Sequence, residues 1–267
     1  MSHLDNWAGK YFSTQGSYIR YFRTNGDKPS MILLHAAMDN GLCWKRVTKA
    51  LENDFDIVMP DARGHGKSIS YQTEFHLSDL VDDIVELIKG LKFTSIIVMG
   101  HSMGAQVATE LGARFPNFVK KLVLEDPGYY FKNPTFLDLL YYKRRIRRIK
   151  KSTIAQIRKM CDQIHNGWDE EDKNLWVKAQ KEWAENESKS KSLNPKRNWH
   201  VIFPKVKAPT LLLISENGIV KRREVEQYIT EFSNAKYEFI ENAGHHIHRE
   251  NFEAFMKTVQ EFLKQNQ

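Results

Sequence analysis

At 267 residues, 41% of them hydrophobic, the chain is long enough for one sizeable core and somewhat long for a single compact domain, so one domain carrying an insertion is expected. Its two cysteines, Cys43 and Cys161, stand in no CxxC or Cys/His cluster, which excludes a disulfide framework. With no charged and apolar leader, and no apolar run of the roughly 18 residues a membrane helix needs, a cytoplasmic chain without a membrane span is expected.

The net charge of +7 is unevenly placed, since residues 143–200 hold 16 Lys and Arg against 8 Asp and Glu. The densest part is KRRIRRIKK (143–151), where Ile146 and Ile149 recur at helical spacing among the charges. It reads as a solvated helix face in preference to a nucleic-acid or membrane-surface patch, and leaves an anionic substrate open.

In chain order, Tyr18 to Arg23 alternates like an exposed strand, while MILLH (31–35) and FDIVMP (55–60) are short apolar runs suited to buried parallel strands. Helical material follows each: 43–51 after the first and 77–91 after the second, where Leu77, Leu80, Val81, Ile84, Leu87 and Ile88 mark one helix face. Next come a strand over 95–100, a helix over 105–115 and a strand over 121–126. Strand and helix alternate, which predicts an α/β fold with a mostly parallel, doubly wound sheet. From Pro127 to about Phe203 the sequence reads as charged amphipathic helices without a strand of the buried type. The rhythm then returns with a strand over 209–215, a helix over 224–232, a strand over 237–241 and a final helix over 252–263. Residues 127–203 are therefore expected to be a helical insertion into a core made of 1–126 and 204–267.

GHSMG, Gly100 to Gly104, lies directly after the strand over 95–100 and leads into a helix that begins near Met103. This is the context of a G-x-S-x-G nucleophile elbow, whose serine occupies a tight, strained turn that needs small residues two positions either side. Ser102 is the candidate nucleophile. The loop HAAMDN (35–40) follows the strand over 31–35 where an oxyanion donor is expected, so the N–H groups of Ala37 and Met103 are the candidate pair, and His35 reads as a loop-shaping residue. DARGHGKS (61–68) is a glycine-rich turn after the strand over 55–60. Late in the chain, NAGHHIHRENFEAF (242–255) offers His245, His246 and His248. An imidazole with an unperturbed pKa of about 6.5 suits a general base, whereas a zinc site built from these three lacks a carboxylate or cysteine at a spacing that would complete it.

Together the LLHxx loop, the D-x-R-G-H-G-x-S turn, the G-H-S-M-G elbow and the late G-H before a final helix resemble the α/β-hydrolase-fold enzymes, over nearly all the chain except the insertion. The resemblance implies a Ser-His-acid triad with no metal and no organic cofactor. It puts the base immediately after glycine, at His245, and makes the 61–68 turn structural, with Arg63 and His65 outside the chemistry. At Ala36 the chain departs from the family's usual glycine. It departs again at the acid: the family's phrase G-x-x-D-x-I-V corresponds to SENGIVKR (215–222), which holds Asn217 and Gly218 but no Asp. Glu216 is one substitute. Some relatives carry the acid after the preceding strand, where VLEDP offers Glu125 and Asp126. The expected acid is Asp126, with Glu216 as the alternative and Glu125 third.

By the same resemblance the insertion forms a lid over the elbow. Its aromatics Tyr129, Tyr130, Phe131, Phe136, Trp168, Trp176 and Trp183, and Trp44 near the oxyanion loop, divide between core and pocket in a way the sequence leaves open. The implied activity is hydrolysis of a carboxylic ester or related small carbonyl compound through an acyl-enzyme. Cleavage of carbon–carbon bonds or another triad reaction, and a small-molecule receptor on the same fold, stand as alternatives. None of these features encodes an oligomeric state.

Overall fold

The computed structural model of the chain describes residues 7–72, 74–129, 136–186 and 197–265, apart from the side chains at 136–139 and 141–142. The chain opens with β1 (Lys10–Ser13), β2 (Ser17–Arg23), β3 (Ser30–Leu34), α1 (Lys45–Leu51), β4 (Asp56–Pro60), the short β5 (Ile69–Ser70) and α2 (Leu77–Gly90). After these come β6 (Ile96–His101), α3 (Met103–Arg114) and β7 (Val119–Glu125). The helices α4 (Phe136–Lys151), α5 (Ile154–Ile164), α6 (Glu170–Glu185) and α7 (Trp199–Ile202) then lie between β7 and β8 (Thr210–Asn217). The order ends with α8 (Arg222–Tyr228), β9 (Ala235–Gly244), α9 (Ile247–Glu250) and α10 (Phe252–Lys264).

The strands form one sheet in the order β1-β2-β4-β3-β6-β7-β8-β9, with β5 paired to β2. Pairings that involve β1, β2 or β5 are antiparallel, and those from β4 through β9 are parallel. Side chains of a strand alternate between faces. Accordingly Met31, Leu33, Ile97, Met99, Leu211 and Leu213 join one core cluster with Val47 of α1 and Phe255, Val259 and Phe262 of α10. Ile32, Leu34, Ile96, Val98, Leu212 and Ile214 join the other, with α2, α3 and α8. Burial on both faces explains why these strands read as unbroken apolar runs. Each such side chain contributes about 1.5–3 kcal/mol when fully buried.

The strand expected to be exposed, β2, is largely buried instead. Its charge is neutralised in place: Arg20 donates from Nε to Asp61 at 2.6 Å and from Nη2 to Glu182 of α6 at 3.1 Å. The stretch expected to be helical from residue 43 starts as a 3-10 turn over Gly41–Trp44 and becomes α-helical at Lys45. The strand over 237–241 is longer than expected and runs to Gly244.

Between β7 and β8, Ile149, Ile157, Cys161, Trp168, Trp176, Val177, Trp183 and Ala184 form a third cluster, into which Met38 inserts. Trp199 and Phe203 pack instead into the main core with Tyr129. Tyr129, Trp168, Trp176, Trp183 and Trp44 are all buried. Tyr130, Phe131 and the side chain of Phe136 lie outside the described residues. Cys43 and Cys161 are free and buried. Among the described residues no helix is long and apolar enough to cross a membrane.

Candidate active site

Ser102 sits between β6 and α3 at φ 53° and ψ −109°, a left-handed conformation that a residue with a Cβ holds only when its surroundings over-determine it. Those surroundings are visible. A Cβ on Gly104 would run into the carbonyls of Leu34 and His35, and one on Gly100 into the backbone of Gly104, so strand and helix meet only because both are glycine. The Ser102 N–H donates to the carbonyl of Glu125 at 3.0 Å, which ties the elbow to the neighbouring β7. Met103 opens α3, where the first N–H groups have no acceptor within the helix and carry its positive dipole end. Ala37 lies just past β3, the strand beside β6, and is half-buried.

His245 follows Gly244 at the end of β9, and its Nδ1–H donates to Oδ2 of Asp126 at 2.6 Å. A proton held on Nδ1 leaves Nε2 with a free lone pair, the form a base needs. Asp126 comes directly after β7 with φ 38° and is fully buried. Its carboxylate also accepts from the N–H groups of Ile219 at 2.8 Å and Val220 at 3.1 Å. The loop without its own Asp thus folds around the Asp of the preceding strand. Gly218 makes that approach, for a Cβ there would lie 2.8 Å from both Asp126 oxygens. Glu216 is exposed at the end of β8.

Behind this pair, Glu125 and His248, a third candidate acid and a competing histidine in the sequence, join His101, which no motif singled out, in a buried set. His101, next to Ser102, donates from Nε2 to the carbonyl of His245 at 2.7 Å. Glu125, next to Asp126, accepts from the Nδ1–H of His248 at 2.8 Å and from its backbone N–H at 2.9 Å. Ligand atoms of His101, Glu125 and His248 lie within 4.8 Å of one another, close enough for a metal. Both oxygens of Glu125 are already engaged by His248, and the set reads as a hydrogen-bonded brace between the elbow and the histidine loop. Burial, then the neighbouring His245 and His248, push the His101 imidazole well below its ordinary range, so it is neutral. His246 is likewise held neutral, by burial and then by His101, and packs edge-on to Trp168 at 4.9 Å.

His35 accepts from the N–H of Ala62 through Nε2 at 2.8 Å and donates from Nδ1 to Ala36 at 2.7 Å, which joins the 35–40 loop to the 61–68 turn. In that turn Arg63 donates from Nε to Asp83 of α2 at 2.7 Å. His65 is buried and pushed down to about 3 by its burial.

A serine on a left-handed elbow after a central strand, with a histidine beyond the last strand bonded to a buried aspartate, defines the class of α/β hydrolases. The chain belongs to the alpha/beta hydrolase fold family, whose model matches residues 29–252. It is similar to N-formylmaleamate deformylase of Pseudomonas putida, at 24% identity over 271 residues covering 96% of each chain. An uncharacterized protein of Mycobacterium tuberculosis is 31% identical over 117 residues, 44% of this chain and 34% of the relative, so the match spans about a third of that relative's length. Among solved structures, E-2-(acetamidomethylene)succinate hydrolase superposes with a TM-score of 0.79 at 16% identity, covering 97% of this chain and 99% of the other. Naproxen esterase from Bacillus subtilis reaches a TM-score of 0.80 at 18% identity, covering 97% and 92%.

Proposed function

We propose that the chain is a serine hydrolase acting on a small carboxylic ester or related carbonyl compound through an acyl-enzyme. The observation that carries this reading is the 2.6 Å bond from His245 to the buried Asp126, made beside a serine elbow that His101 ties to the same histidine. In the proposed reaction Ser102 Oγ attacks the carbonyl carbon while His245 Nε2 takes its proton. Asp126 holds the tautomer and balances the imidazolium as it forms. The N–H groups of Ala37 and Met103 stabilise the tetrahedral oxyanion, and collapse expels the leaving group with the proton returned by His245. Water, deprotonated by the same histidine, then cleaves the acyl-serine. Within residues 127–203, the helices α4 to α6, which form a cluster of their own, act as the lid that bounds the substrate. The reading is supported by a relative named as a deformylase and a fold neighbour named as an esterase.

The test is a panel of p-nitrophenyl esters of increasing acyl length, hydrolysed by the wild type and by Ser102→Ala. Loss of a triad nucleophile removes roughly 10⁶ in kcat, so the variant should be inactive while remaining folded. Turnover above about one per cent of wild type in the folded variant contradicts the covalent mechanism.

A further inference from the structure

The candidate oxyanion loop is gripped at three successive residues by side chains from elsewhere in the chain, those of Gln180 and Arg249 buried and that of Glu182 partly so. The carbonyl of Met38, a residue at φ 69°, accepts from Nε2 of Gln180 in α6 at 2.8 Å. Asp39 Oδ2 accepts from Nη1 of Arg249 in α9 at 2.9 Å. Asn40 donates from Nδ2 to Glu182, again in α6, at 3.0 Å. Gln180 is 1% exposed, and the side chains of Arg249 and Asp39 are 0% and 3% exposed. The loop's own turn bond, Asp39 N–H to the carbonyl of Ala36, is longer at 3.2 Å. Arg249 also spans towards the insertion, with Nε 3.9 Å from Asp172 and its guanidinium 4.8 Å over the Trp168 ring.

A left-handed Met38 one residue after Ala37 is costly unless fixed from outside, and an oxyanion donor needs its place set to within about 0.5 Å. We propose that Gln180 and Arg249 are positioning residues for the reaction: they set the oxyanion loop, so that Ala37 N–H points at the developing negative charge. This rests on the serine-hydrolase reading above and extends it, because it makes α6 part of the catalytic scaffold as well as of the lid. Arg249 plays the second role from the histidine loop, four residues after His245, and so couples the base to the oxyanion donor through Asp39. Neither residue touches substrate in this account. Both act through the loop's backbone.

The experiment compares the full-length wild type with Gln180→Met, which keeps length but removes the donor, and with Arg249→Met and Arg249→Lys. Three quantities are read: kcat and KM for a p-nitrophenyl ester, the Ki of an aryl boronic acid that forms a tetrahedral serine adduct, and Tm. A misplaced oxyanion donor weakens only the tetrahedral state. Gln180→Met should therefore lower kcat by about 10- to 100-fold, raise the boronate Ki by a similar factor and leave KM within about twofold. Arg249→Lys should recover part of what Arg249→Met loses. A merely structural role would change Tm and the folded yield but not the boronate Ki of the folded protein. The inference fails if folded Gln180→Met keeps kcat and boronate Ki within about twofold of wild type, whatever its Tm. If Arg249→Met does not fold, Gln180→Met and Arg249→Lys decide the matter alone. A wild type that the boronate does not inhibit overturns the serine-hydrolase reading itself, an outcome separate from wild-type inhibition with unaffected variants.

Discussion

The Asp126 carboxylate answers to three N–H groups at once: the His245 imidazole at 2.6 Å and the backbones of Ile219 and Val220 at 2.8 and 3.1 Å. Bonds of this kind fix the orientation of the carboxylate. In the proposed mechanism Asp126→Asn presents an amide to Nδ1 that can stabilise the wrong tautomer and cannot balance an imidazolium. It should reduce kcat by roughly 10⁴-fold. Glu216→Gln, at an exposed position, should leave kcat within about twofold. Steady-state kinetics on the two variants decide between the acids, and the opposite ranking would move the role to Glu216. Ser102, His245 and Asp126 could be proposed from the sequence because motif spacing and strand ends carry them. Arg249 and Gln180 carried no such signal, and the pairing of Glu125 with His248, offered separately as a third acid and a competing base, could not be read either, for the partners lie far away in sequence: Arg249 and Asp39 are 210 residues apart, Gln180 and Met38 142. No local period encodes such a contact.

At the level of elements, the buried parallel strands β3, β4, β6, β7 and β8 could be read directly, since burial on both faces demands unbroken apolar runs. The strands β1 and β5 escaped because they are short edge elements, four and two residues long, with mostly exposed side chains. β2 was misjudged because Arg20 looks solvent-seeking until Asp61 and Glu182 are brought to it. In α4 the expectation of a solvated basic face is testable. Arg147 and Arg148 are exposed, so replacing both with Gln should leave kcat/KM for a neutral ester within about twofold. If the charges draw in anionic substrates, the loss should appear only for an anionic ester and should shrink as salt shortens screening to roughly 8 Å and below. Equal losses for neutral and anionic esters would contradict the solvated-face reading and make α4 part of the substrate-bounding wall of the proposed lid.

Across the whole molecule, burial holds several histidines neutral: His35 and His101 are pushed down, His65 to about 3 and His165 to about 4, chiefly by desolvation, with His246 pushed well down too. Each folded-state pKa lies below the unfolded value of about 6.5, so below that pH the unfolded chain binds more protons than the folded one. Stability is then full above about pH 6.5 and is lost as pH falls toward 4, with the buried His35, His65 and His101 each contributing up to about 1.4 kcal/mol per pH unit and the partly exposed His165 and His246 less, because solvent screens them. The carboxyls of Glu110 and Asp172, lifted by burial, act in the opposite direction. The five histidines outnumber them. Urea denaturation should give a lower unfolding free energy at pH 5.5 than at pH 8, and equal or greater stability at pH 5.5 would show that these imidazoles are not held neutral.

The central claim is that Ser102 becomes covalently acylated, and reaction with a fluorophosphonate tests it most directly. That reagent phosphonylates a serine only where a base activates the hydroxyl and an oxyanion site receives the phosphoryl oxygen. Intact-mass measurement of the treated wild type should show a single adduct, peptide mapping should assign it to Ser102, and folded Ser102→Ala should gain none. An unmodified wild type, an adduct on another residue or undiminished labelling of Ser102→Ala would contradict it.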